Sequence, residues 1–121
     1  MKTKVKSILT GLVMMAGITA VSQNSQTKPE GSYKVLGNCG MCEKTIEKAA
    51  MKKGVTKADW DKNTKVLVLE FDPKKTSADE ILKSVADAGY DNEKYTAPNG
   101  AYDNLPDCCK YDRSAKASFQ K

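Results

Sequence analysis

Two cysteines three positions apart, Cys39 and Cys42, stand where an alternating apolar run gives way to a helical one, in the stretch Gly37-Asn38-Cys39-Gly40-Met41-Cys42. This turn has to join two kinds of element and also bring two thiols within reach of one ion or of each other. Before it, Ser32 to Leu36 alternates Tyr33 and Val35 with Lys34, the pattern of a short strand with one buried face. Beyond it, Cys42, Ile46, Ala49 and Ala50 fall at the i, i+4, i+7, i+8 spacing, which predicts an amphipathic helix over Glu43 to Lys53. Glu43 in its first turn, Lys52-Lys53 in its last and Gly54 just past its end agree with the helix dipole and with a glycine stop.

The remaining elements follow in order. Val55, Ala58 and Trp60, with Asp59 and Asp61 directed the other way from Ala58 and Trp60, predict a second strand with Trp60 in the core. Lys62-Asn63-Thr64 is a turn, and Lys65 to Phe71 completes a hairpin. If Leu67, Leu69 and Phe71 face the helices, Val66 and Val68 face the open side of the sheet. Asp72-Pro73 ends the hairpin, and Ser77-Ala78-Asp79-Glu80 has the form of a capping box ahead of the stripe Ile81, Leu82, Val85 and Ala88, which Gly89 stops. After the loop Tyr90-Asp91-Asn92, Glu93 to Ala97 is expected as a fourth strand centred on Tyr95. The order strand, helix, strand, strand, helix, strand is the α+β ferredoxin-like arrangement, a four-stranded antiparallel sheet with two helices on one face.

Both ends of the chain exceed that domain. Lys2, Lys4 and Lys6 precede an uncharged run from Ser7 to Val21 that ends in small residues, so 1–22 reads as a secretory signal peptide, too short and too interrupted for a membrane span. Residues 23–31 hold no apolar side chain and read as a flexible leader, 32–97 as the folded domain, and 98–121 as a C-terminal extension with Cys108 and Cys109. That extension is too rich in Tyr102, Leu105 and Tyr111 for a free linker, and is expected to pack as far as Tyr111. Loss of 1–22 leaves 17 basic against 15 acidic residues, a net charge of +2 in place of +5, which removes the case for nucleic-acid binding. The mature chain is expected in the periplasm or outside the cell, with no stable membrane insertion, where an unprotected dithiol tends to oxidise. With no histidine in the sequence, imidazole metal sites and Ser-His or Cys-His nucleophile systems are excluded, and no catalytic turnover is expected.

Cys39 in the loop and Cys42 in the first helical turn lie near backbone amides that carry roughly half a positive charge, which favours thiolate over thiol. Two thiolates spanning one ion suit Cu(I), whereas a structural zinc site asks for four ligands. On the Cys pair, the element order, Asp72-Pro73 after the third strand and Ala86-Asp87-Ala88-Gly89-Tyr90 after the second helix, residues 32–97 resemble the heavy-metal-associated domain. The family includes copper chaperones, the N-terminal regions of copper ATPases and the periplasmic mercury-binding protein.

The resemblance implies binding of Cu(I), sometimes Hg(II), by Cys39 and Cys42, with Tyr90 packing near the metal. It also implies handover by thiolate exchange to a metal-transporting ATPase, an efflux component or another metallochaperone. The sequence departs from the family at Gly37, where a core-packing Met usually stands, and the loop before Cys39 is one residue shorter. Cys108 and Cys109 are not part of the family's domain. Adjacent Cα atoms lie about 3.8 Å apart, below the usual disulfide range of about 4.4 to 6.8 Å, so three roles remain open for them. They could be auxiliary ligands folded back over Cys39 and Cys42, which would admit Zn(II) or a Cu(I) cluster, or bridges to that pair, or free thiols. Met41 could add a thioether, though a side chain between two ligands more often covers the loop. The alternatives for Cys39 and Cys42 are a structural disulfide and, as a second functional class, an exported thiol–disulfide oxidoreductase.

Overall fold

The computed structural model describes residues 30–119. The expected signal peptide, 1–22, and residues 23–29 of the expected leader 23–31 lie outside the described residues. The elements are β1 (Glu30–Lys34), α1 (Gly40–Ala50), β2 (Val55–Asp61), β3 (Val66–Phe71), α2 (Ala78–Asp87) and a short α3 (Asn99–Asp103), followed by 3-10 turns over Asp107–Cys109 and Arg113–Phe119. β1 starts two residues before the expected Ser32, because β3 offers antiparallel partners as far out as Glu70 for Glu30 and Leu69 for Gly31.

Among the described residues the sheet has three strands, in the order β1-β3-β2, and the expected fourth strand over Glu93 to Ala97 is not formed. Its start does approach the free edge of β1: Leu36 N–H donates to Asp91 O, Glu93 N–H donates to Lys34 O, and Val35 and Asn92 make an antiparallel bridge. Side chains then take the amides that a ladder would need. Asn92 Oδ1 accepts from Lys94 N–H and Tyr95 N–H, and Asp91 Oδ1 accepts from Ala97 N–H. Asn and Asp offer the backbone this alternative to pairing, and Tyr95, half-buried, is the only large apolar side chain there to favour a strand.

Helices α1 and α2 pack on one sheet face. Cys42, Ile46 and Ala50 from α1 and Ile81, Leu82 and Val85 from α2 join Val35, Trp60, Leu67, Leu69 and Phe71 in one buried cluster. Val55 and Trp60 are both buried although five positions apart, which a regular period-2 strand would not allow; a register shift between Val55 and Lys57 changes the face. Val66 and Val68 are half-buried on the other face of β3, as their alternation required.

Several local boundaries differ from expectation. α1 begins earlier, with Cys39 at its N-cap, and ends at Ala50, so its last-turn cation is Lys48 and Lys52-Lys53 lie in the turn to β2. That turn closes when Lys52 N–H donates to Ala50 O and Val55 N–H to Lys52 O. β3 starts at Val66, because Lys65 takes φ 62° at the end of a turn in which Asp61 Oδ1 accepts from the amides of Asn63 and Thr64. At α2, Ser77 Oγ accepts from Glu80 N–H as the capping box requires, while the Glu80 carboxylate accepts from Thr76 Oγ1 rather than reaching back to the Ser77 amide.

Gly37 is buried, and a Cβ there would sit 3.0 Å from the Trp60 ring and 3.1 Å from Ile46 Cδ1. Trp60 thus fills the space beside position 37. Its Nε1–H donates to Val35 O, and Lys65 Nζ lies 5.5 Å from its ring centroid while donating to Gly37 O. The apolar loss at position 37 and the indole at position 60 belong to one packing solution.

Candidate metal centre

The site starts at the head of α1. Cys39 has extended backbone at the N-cap and makes no side-chain cap bond as a thiol, but the Cys42 amide faces its sulphur, and the Cys42 thiol lies beside it. These groups hold the Cys39 pKa at about 7, below its ordinary 9.0, despite the opposing effect of burial. Helix N-termini stabilise a thiolate in this way. Cys42, in the first turn, is fully buried, with Sγ 3.5 Å from Cys39 Sγ.

The C-terminal extension packs against this loop. It leaves the domain at Ala97, turns through α3, and brings the Asp107–Cys109 turn against α1. Cys109 is buried with Sγ 4.0 Å from Cys39 Sγ, and Cys108 is exposed with Sγ 4.0 Å from Cys109 Sγ. The sulphurs of Cys39, Cys108 and Cys109 all lie within 4.8 Å of one another. Cys108 O accepts from Asn38 Nδ2 at 3.4 Å and from Cys39 Sγ at 3.6 Å, so the tail also touches the loop through its backbone. Burial, with Cys42's thiol beside it, pushes the Cys109 thiol far above its ordinary range, and contact with Cys39 and burial raise that of Cys108. Cys39 is therefore the first of the three to ionise. Met41 is exposed, and its Sδ lies 4.0 Å from Cys108 Sγ on the outside of the cluster.

Tyr90 lies beneath the sulphurs. The ring is fully buried and its hydroxyl has no hydrogen-bond partner. Burial pushes its pKa far up, with Cys109, Cys42 and Thr45 as the neighbouring polar groups.

The extension packs as far as Tyr111, as its apolar residues require, and is fixed there by a lock whose partners no local sequence pattern names. Tyr111 is buried, donates its hydroxyl to Gly89 O and accepts from Asp91 N–H, both at 2.7 Å. Its ring stacks on Tyr90 with centroids 6.1 Å apart and meets the edge of Tyr102 at 5.0 Å. Arg113 grips Asp91 with two bonds of 2.9 Å, donates to Ala97 O and Asn99 Oδ1, and stands over the Tyr102 ring. Burial raises the Asp91 pKa, but the Arg113 hydrogen bond, the Ala97 amide and the Arg113 charge outweigh it and hold the carboxyl below its ordinary value. Gly89 lets the tail come close: its φ is +112°, and a Cβ there would meet Ala101 O and Leu105 Cδ2 at 2.9 Å. One signal in sequence did point here, since Arg113 is the only arginine beside 19 lysines and Arg is the cation suited to a bidentate buried pair.

The heavy-metal-associated domain model matches residues 38–91, which span Cys39, Cys42 and Tyr90. The mercuric transport protein periplasmic component of Pseudomonas fluorescens is 36% identical over 87 residues, covering 70% of this chain and 92% of that protein. The chain belongs to the heavy-metal-associated domain family. The corresponding protein of Shigella flexneri is 33% identical over the same length. Among solved structures, the CopZ metallochaperone superposes with TM-score 0.51 at 27% identity, covering 53% of this chain and 98% of that one. A copper-binding domain from the P-type ATPase HMA7 gives 0.51 at 29% identity, covering 53% and 89%. Cys108, Cys109 and Arg113 lie beyond the family-matched residues. In this member of the heavy-metal-associated family, the loop and the extension therefore contribute sulphurs to one place.

Proposed function

We propose that this protein captures a soft heavy-metal ion with Cys39 and Cys42 and passes it on by stepwise thiolate exchange, as an exported metallochaperone or metal buffer. The observation that carries this reading is the pair of sulphurs 3.5 Å apart at the amide end of α1, with the Cys39 thiol lowered to a pKa of about 7. A thiolate at neutral pH is what both metal capture and exchange require. Each thiol releases its proton as its sulphur takes the ion, and one sulphur at a time yields to an incoming thiolate of the partner.

Cu(I) and Hg(II) share the preference for few, soft ligands. Cu(I) fits the two-thiolate pair and the chaperone-like fold, while the curated relatives are named for mercuric transport. The periplasm is the proposed compartment, in line with those relatives and with the sequence of 1–22, and no helix among the described residues is long and apolar enough to cross a membrane. The acceptor would be a metal-transporting ATPase, an efflux component or another metallochaperone. The thiol–disulfide oxidoreductase alternative gains no support from relatives named for metal transport and copper binding.

Anaerobic titration of the reduced protein with Cu(I), and separately with Hg(II), tests the proposal. One equivalent bound at high affinity, and lost in the Cys39→Ser/Cys42→Ser double variant, is expected; the ion held against the stronger competing chelator is the physiological candidate. Equal binding by the double variant, or disulfide reductase turnover without metal, would overturn it.

A further inference from the structure

Resting on that reading of Cys39, we infer that Cys108 and Cys109 complete a three-sulphur site with Cys39, and that the Tyr90 hydroxyl serves as the buried donor to the Cys109 sulphur once the ion is bound. The ion would then be enclosed by the extension rather than held in an open two-thiolate loop.

The spacing of the sulphurs distinguishes the two arrangements. With metal–sulphur bonds of about 2.3 Å, three coplanar sulphurs around one ion lie about 4.0 Å apart, and two opposite sulphurs about 4.6 Å apart. Cys39 to Cys109 and Cys109 to Cys108 are both 4.0 Å, with the third side of the triangle within 4.8 Å. Cys39 to Cys42, at 3.5 Å, is shorter than either arrangement needs and has to open before it can grip an ion alone. Two sides of the triangle already have the trigonal spacing and the third closes by a small shift of the exposed Cys108, and the set shares Cys39 with the pair at the head of α1.

Tyr90 is the second, independent observation. A fully buried phenol hydroxyl without a partner is costly, and the polar side chains around it are Cys109, Cys42 and Thr45. In the thiol state Cys109 is a weak acceptor; as a metal-bound thiolate it becomes a charged one, and a charge-assisted bond is about twice as strong as a neutral one. The unmet donor is then satisfied by the ion's arrival. Asn38 Nδ2 on Cys108 O and the Arg113–Asp91 pair hold the turn in place meanwhile. Access follows the exposure of the sulphurs: Cys108 is exposed, Cys39 half-buried, and Cys42 and Cys109 buried. An incoming ion meets Cys108 and Cys39 first, and an acceptor's thiolate has to displace Cys108 before it reaches the rest.

The test compares Cu(I) retention by the reduced protein, Cys108→Ser, Cys109→Ala and Tyr90→Phe, using a competing Cu(I) chelator under anaerobic conditions. Cys108→Ser changes only an exposed sulphur, so it keeps the question open should Cys109→Ala fold poorly. Expected are one equivalent bound by every variant, at least tenfold weaker retention in Cys108→Ser and Cys109→Ala, and several-fold weaker retention in Tyr90→Phe. The metal-free Tyr90→Phe protein should be at least as stable to heat as the parent, because an unmet hydroxyl is gone; a purely structural role for Tyr90 would lower its stability and leave retention unchanged. Unaltered retention in Cys108→Ser and Tyr90→Phe overturns the three-sulphur site while leaving the Cys39 and Cys42 reading intact. Absence of uptake by the parent itself defeats that underlying reading instead.

Discussion

Cys39 and Cys42 sit at the N-cap and in the first turn of an eleven-residue helix whose buried face is anchored by Ile46 and Ala50, whereas Cys108 and Cys109 ride on a three-residue 3-10 turn between two other short helical segments. The helix fixes its sulphurs through backbone geometry and lowers one thiol pKa through its amides. The extension has no such frame and is fixed from a distance, by the Tyr111 hydroxyl on Gly89 and Asp91 and by the Arg113 fork on Asp91. Regular structure places a ligand through many small, redundant contacts. A tail places it through a few strong ones, so the two halves of the cluster should fail differently when perturbed.

The largest effect is expected from Arg113→Ala. Asp91 is 1% exposed, and breaking a buried pair from one side costs about 3 kcal/mol or more, with part of that loss recovered because Arg113 itself is 25% exposed. Denaturant unfolding should register this loss, and mass spectrometry after iodoacetamide treatment should find Cys109 modified as readily as Cys108. Cys39 should keep its reactivity. Protection of Cys109 retained in the variant would show that the extension does not depend on this lock. The sign with pH agrees: because the Asp91 carboxyl is depressed in the folded state, its contribution is complete above about pH 3.9, the ordinary Asp value, and is lost as pH falls through its lower folded value. The parent should lose this increment on acidification and Arg113→Ala should have little left to lose.

A smaller effect is expected at the loop. Gly37→Met would drive a side chain into the Trp60 ring and Ile46, and overpacking of this kind costs about 1–3 kcal/mol. Calorimetry should show a lower Tm with the extension still docked and Cys109 still protected. An increase in Tm would mean that Trp60 can move aside and that the packing at position 37 is not tight.

These differences also mark what was legible in the sequence. The loop half was readable: alternation before Cys39, helical spacing after Cys42 and the Ser77 cap are local patterns, and the fold follows from their order. The missing fourth strand was not readable, because Glu93 to Ala97 is lost to Asx-type bonds from Asp91 and Asn92 and to Arg113 from a distant segment. Nor was the lock, which joins Gly89 and Asp91 to Tyr111 and Arg113 across long sequence separations that no periodicity reports. Cys108 and Cys109 could be named as possible ligands but not placed. Trp60 is legible as a core residue from the alternation of its strand, but its close approach to Gly37 is visible only in the packed structure.

The smallest effect separates the thiols by pH. With its pKa at about 7, Cys39 should be alkylated at half its maximal rate near pH 7, faster above and slower below, while Cys109 stays unreactive until far more alkaline conditions. Stopped-time labelling at a series of pH values, read peptide by peptide, checks this. A Cys39 midpoint near its ordinary 9.0 would remove the helix amides as the source of its acidity.

The most direct measurement of whether loop and extension form one site is the sulphur coordination number of the bound ion, by X-ray absorption on the Cu(I)-loaded protein. Three sulphurs at a single distance in the parent, falling to two in the Cys108→Ser/Cys109→Ser double variant, is the expected result. Two sulphurs in both proteins would contradict it, and would leave Cys39 and Cys42 to hold the ion alone.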